Sequence, residues 1–136
     1  MQRRNFFNKL AAGAIVTGIS TPLWASVRVE NSSPINPSES IQHMVIFDLK
    51  HEKGSAGELK FLTDGKSILS RIPVVSDFRA LDQVSLKNDY DYGFSMVFTN
   101  RADYDTYTNH PDHVSFVENR WKKEVSRFLE IDFKAH

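Results

Sequence analysis

The chain has 136 residues, 17 basic against 17 acidic, with five histidines and no cysteine. The lack of cysteine excludes disulfide staples, thiolate metal sites and a cysteine nucleophile together. The balanced charge lacks the cationic excess that nucleic acid or an anionic membrane surface selects, so neither is expected as a partner.

Arg3 and Arg4 precede Phe6, Phe7 and Lys9, and a mild apolar run follows from Leu10 to Ile19. Pro22 and the small residues Ala25 and Ser26 come next. A basic start, a short apolar middle and a small-residue end describe an export signal over residues 1–25. The paired arginines are similar to the twin-arginine type, which places the expected mature protein in the periplasm or otherwise outside the cytoplasm. About ten apolar residues fall short of the roughly twenty that a spanning helix needs. Cleavage after Ala25 would leave 14 basic against 17 acidic residues, a net charge of −3. Residues 26–40, with two prolines and five serines, read as a flexible linker.

The remaining residues, 41–136, are enough for one small domain with a single core. From Ile41 to Lys50, Ile41, His43, Val45, Phe47 and Leu49 share one side of a strand, and the other side is partly apolar. Leu59, Leu62, Leu69 and Ile72 keep helical spacing between Ser55 and Ile72, with Gly65 expected to bend or interrupt that helix. Pro73 ends it. Val74–Ser85 and Tyr90–Thr99 read as strands joined by a turn at Asn88-Asp89. A short helix is predicted over Asn100–Asn109. After Pro111, Val114, Val117, Trp121, Val125 and Phe128 repeat at three and four, predicting an amphipathic helix through Phe128. Leu129–Phe133 is the last strand. This order predicts an α+β fold, a ferredoxin-like sandwich with a four-stranded antiparallel sheet. Such a sheet can leave one face uncovered. Here that face is expected to be rich in phenylalanine, tyrosine and methionine, marking a partner surface or a ligand site.

The stretch Tyr107-Thr108-Asn109-His110-Pro111-Asp112-His113 places a phenol and two imidazoles around a proline. Proline disfavours helix at the preceding residue and suits the first turn of the next helix. The resulting corner can aim Tyr107 and His113 into one space, an ordinary acid–base pairing. A helix N-terminus disfavours imidazolium and would keep His113 neutral. His110 either closes the helix before Pro111 or joins the ligand face. His110 and His113 are three apart, a spacing that suits zinc on a continuous helix. Pro111 interrupts that helix, and no metal is expected.

The strand His43-Met44-Val45-Ile46-Phe47-Asp48-Leu49-Lys50, the segment Tyr90-Asp91-Tyr92-Gly93-Phe94, the corner Tyr107 to Val114, and Asp132-Phe133 together resemble the Dabb family. These are the stress-responsive dimeric α/β-barrel domains, and the resemblance covers 41–134. It implies that two protomers pair their sheets face to face to close a barrel. Members include bacterial stress-associated proteins of unknown activity and a plant polyketide cyclase that closes an aldol ring without metal or cofactor. By that likeness His113 would be the general base, Tyr107 would position the substrate, and His43 would line the same cavity.

The expected site is therefore His113 and Tyr107 as acid–base groups, with His43, Phe47, Tyr92, Phe94 and His110 around a small, partly aromatic ligand. No cofactor is expected. Two functions follow: an exported homodimer that binds such a molecule, with cyclase- or lyase-like chemistry, or a non-catalytic homodimeric protective module in which the same residues only shape the barrel.

Overall fold

The computed structural model describes residues 36–136. The expected export signal and most of the expected linker lie outside them. Residues 36–40, the described end of that segment, form a hydrogen-bonded turn. The Asn36 carbonyl accepts from the Glu39 and Ser40 amides, both at 3.0 Å, and its side chain accepts from Ser38.

Strand β1 (Ile41–Leu49) buries Ile41, His43, Val45 and Phe47 at alternate positions. Helix α1 (Ala56–Leu69) starts at Ser55, whose hydroxyl accepts from the Glu58 amide. Strands β2 (Ser76–Asp82) and β3 (Tyr92–Phe98) follow, and then helix α2 (Arg101–Asn109), capped by the Asn100 side chain. After the corner come α3 (Pro111–Phe116), a π-helical turn (Val117–Trp121), α4 (Lys122–Glu124) and β4 (Val125–Phe133). The sheet is antiparallel in the order β2-β3-β1-β4, which is the ferredoxin-like α+β arrangement.

Three expectations are corrected. The last helix stops at Glu124 rather than Phe128. Val125 turns extended, with φ −87° and ψ 130°, pairs with Leu49, and the Lys50 amide bonds to the Glu124 carbonyl at 2.8 Å. Val125 and Phe128 are three apart, which fits a helix, and a register irregularity at Asp48/Leu49 lets them pair with Leu49 and Phe47 on one side of the sheet instead.

The aromatic side of the sheet is also not the uncovered one. Phe47, Phe94, Met96 and Phe98 lie beneath the helices, against Phe61 and Phe116. Directly paired residues point the same way, so the open face is set by Met44 opposite Ile131, Ile46 opposite Leu129, and Leu81 opposite Gly93. That face is mainly aliphatic, and Leu81, Leu129 and Phe133 are exposed on it.

Gly65 does not break α1, which runs without interruption. A Cβ at this position would meet the Phe94 ring at 2.8 Å and the Phe116 ring at 3.2 Å. The glycine lets the helix lie close to the sheet. Both rings are buried and held by neighbours, so neither yields cheaply. In an exposed helix, Gly→Ala gains on the order of 1 kcal/mol. Here Gly65→Ala is expected to lose about 1–3 kcal/mol by overpacking, measured as a lower midpoint in urea unfolding with unchanged slope.

Candidate functional site

The corner builds the site. His110 is extended, with φ −65° and ψ 135°, and serves both helices. Its amide bonds to the Tyr107 carbonyl at 3.1 Å, closing α2, and its Nδ1 accepts from the Asp112 amide at 3.1 Å, opening α3. Pro111 takes the first helical position, where its missing N–H costs nothing. His113, one turn on, reaches back so that its Nδ1 is 3.0 Å from the Thr108 carbonyl. A carbonyl only accepts, so Nδ1 carries the hydrogen and Nε2 keeps its lone pair.

The Tyr107 ring packs against His113 with centroids 4.3 Å apart. Tyr107 is buried at 4% exposure, yet its hydroxyl has no protein hydrogen bond among the described residues and is not sealed off. Burial raises the phenol pKa, with Tyr104 and Glu130 adding to it, so Tyr107 is a proton donor at neutral pH. Burial lowers His113 from its ordinary 6.5, and the Thr108 hydrogen bond opposes this without cancelling it. A neutral imidazole and a neutral phenol thus stand side by side.

His43 enters from β1. Its Nδ1 donates to Asp132 Oδ1 at 2.7 Å, and the Tyr104 hydroxyl donates to Asp132 Oδ2 at 3.1 Å. Asp132 lies directly opposite His43 on β4, which explains why this buried imidazole is tolerated in an aromatic core. The arrangement fixes the His43 ring with Nε2 as its remaining nitrogen. Sequence reading missed Asp132 and Tyr104 as site residues. The signal available was the i,i+3 pair Tyr104 and Tyr107, which puts both phenols on one helix face.

A cavity of about 310 Å3 lies between the covered side of the sheet and the helices. Val45, Phe94 and Met96 form its floor, and Leu69, Phe116 and Trp121 form its roof. His43, Tyr107 and His113 stand at its wall, with Phe128 and Glu130 from β4. Val117 and Trp121 belong to the π-helical turn, a distortion frequent at functional sites.

Among the expected residues, His43, Phe94, Tyr107 and His113 meet here, whereas Phe47, Tyr92 and His110 do not. Phe47 lies one alternation beyond Val45 and is enclosed by Phe94 and Trp121, each with centroids 4.9 Å away. Tyr92 is opposite Phe47, and burial, then Glu58, raises its phenol pKa. His110 is occupied as a helix cap. Among the described residues no three histidine, aspartate or glutamate side chains converge as metal ligands.

The pattern of the Stress responsive A/B Barrel Domain, Dabb, matches residues 41–135. The chain belongs to the Dabb family. A crystal structure of a Dabb family protein with a ferredoxin-like fold from Mesorhizobium loti is 50% identical, with a TM-score of 0.71, covering 72% of this chain and 98% of that one. A dimeric protein of unknown function and ferredoxin-like fold from Bacteroides fragilis is 16% identical, with a TM-score of 0.57 and coverage of 74% and 99%. Hydroxynitrile lyase from Passiflora edulis is 11% identical, with a TM-score of 0.64 and coverage of 74% and 96%. The last two likenesses show a shared fold alone. Among curated proteins, none matches the chain.

The half-buried His113 of this Dabb domain ties stability to pH. Its folded pKa lies below the unfolded value, so the unfolded chain binds the proton first as pH falls. The His113 contribution is full above about pH 6.5 and declines below it, a window distinct from that of Glu124 and Asp64, which are depressed below ordinary carboxylate values. Thermal melts between pH 7.5 and 5 are expected to show a falling midpoint, and His113→Asn should flatten that slope.

Proposed function

We propose that this Dabb protein is an exported homodimer that binds a small, partly aromatic molecule in the cavity beside the corner and performs cofactor-free acid–base chemistry on it. One observation carries the reading. The free Nε2 of a neutral His113 and the unbonded hydroxyl of Tyr107 border an apolar cavity of about 310 Å3, the size at which ligand pockets begin. His113 takes a proton from the ligand, and Tyr107 donates a hydrogen bond to the oxygen on which charge develops. His43, held by Asp132, provides a second oriented nitrogen at the same wall. The proton balance closes when the imidazolium returns its proton to the product, as a cyclase- or lyase-like step requires. Sharing its fold with a hydroxynitrile lyase supports lyase chemistry on this scaffold.

The mainly aliphatic open face supports the second copy. Ile46, Leu129 and Ile131 share it, and an apolar sheet face left in water is costly. Relatives of the same fold from Bacteroides fragilis and Thermobifida fusca are dimeric. The basic, then apolar, then small-residue start of the chain supports export.

Two measurements test this. Sedimentation of the protein is expected to show a dimer that Ile131→Asp converts to a monomer. A wild-type monomer at micromolar concentration would defeat the dimer. For the cavity, 2-naphthol serves as a neutral aromatic probe in calorimetry. His113→Ala should weaken its binding by up to about tenfold, the loss of one hydrogen bond, and Val117→Phe, which puts a ring where the ligand's own ring would lie, should abolish it. Unchanged binding in both variants sinks the site.

A further inference from the structure

Glu130 gives the cavity a charge preference. It is the carboxylate among the lining residues, it lies opposite Val45 of the cavity floor, and it comes from the edge strand β4. Alternation along β4 puts Phe128, Glu130 and Asp132 on the same side, so the carboxylate stands between an apolar ring and the Asp132–His43 pair. Its field reaches Tyr107, Tyr104 and His113. The lining cation, Lys122, is engaged by Glu118 one turn away. Among the described residues no cation pairs with Glu130. Of the other polar groups at the wall, Tyr107 and His113 are neutral at pH 7, and His43 is held by Asp132.

We infer that Glu130 selects ligands whose apolar or aromatic body ends in a cationic or hydrogen-bond-donating group, and that it rejects the matching carboxylates. This rests on the cavity reading above. The body lies over Phe94 and Met96, where the walls are apolar, and the head group turns to the mouth at β4. There a donor meets a carboxylate acceptor, an interaction stronger than one between neutral partners. An anionic head would meet Glu130 with its own charge, while the lining cation Lys122 is shared with Glu118. Glu130 is exposed, so water and salt soften the preference without reversing it. The residue acts on which ligand is held, while the proton transfer belongs to His113 and Tyr107.

The test uses the full chain and three probes with one phenyl body: 2-phenylethylamine, 2-phenylethanol and phenylacetate. Calorimetry at pH 7 and low salt is expected to rank them amine, alcohol, carboxylate, with about tenfold or more between the ends, as a charge-assisted hydrogen bond gives. Glu130→Gln should collapse that ratio to within about threefold and weaken 2-phenylethanol binding only about threefold, because the amide keeps an acceptor oxygen while losing the charge. Raising the salt should shrink the wild-type ratio toward that of the variant. Val117→Phe should remove binding of every probe. If the alcohol binds and Val117→Phe abolishes it, but the amine shows no advantage or Glu130→Gln changes nothing, the Glu130 assignment falls and the cavity stands. If no probe binds to the wild type, both fall.

Discussion

The break at Pro111 governs this molecule. Proline has no amide hydrogen to continue α2, and it pushes His110 out of helical geometry. The two helices therefore meet at an angle, with the His110 backbone and ring closing one and starting the other. Only across such a corner can the His113 ring turn back to the Thr108 carbonyl and lie 4.3 Å from Tyr107. On a straight helix, residues six apart point about 120° away from each other and lie nearly two turns apart along the axis. The tautomer of His113, its contact with Tyr107 and the wall of the cavity all follow from that one residue.

Packing accounts for the rest. A dense set of rings, Phe47, Phe61, Phe94, Phe98 and Phe116, fills the space between sheet and helices. Gly65 admits α1 closely at Phe94, and on the other helical segment the π-helical turn holds Trp121 over the void. Close contact and open space thus lie side by side beneath the same pair of helices. Apart from the Tyr107 hydroxyl, polar groups in this layer are paired: His43 with Asp132, and the half-buried Arg120 with Asp64 and Glu124. The Arg120 cluster ties α1 to the last helix at the far side of the ring core.

Much of this was legible in the chain. Alternation marked β1 and β3, the period of 3.6 marked α1, and Pro111 fixed the corner with the pairing of Tyr107 and His113. Three points were hidden, each for a physical reason. Both sides of β1 carry apolar residues, so local pattern could not say which side the helices cover. Val125 and Phe128 keep helical spacing, and only pairing with Leu49 and Phe47 across a register irregularity makes them strand. Asp132 and Glu130 occupy polar positions of an alternating strand, positions that ordinarily face water. They face the interior side because helices lie over it, and that is a property of the assembled layers.

Strand β4 carries two jobs on alternate residues. Leu129, Ile131 and Phe133 belong to the greasy outer surface, and Phe128, Glu130 and Asp132 to the side of the chamber, with a register irregularity at Asp48/Leu49 where the strand begins. Parity alone separates the sets. One residue added or lost at the helix–strand junction would exchange them, sending carboxylates to the outer surface and aliphatics into the chamber. Length changes there are thus tolerable only in steps of two, and the two roles of the strand must be kept or lost together.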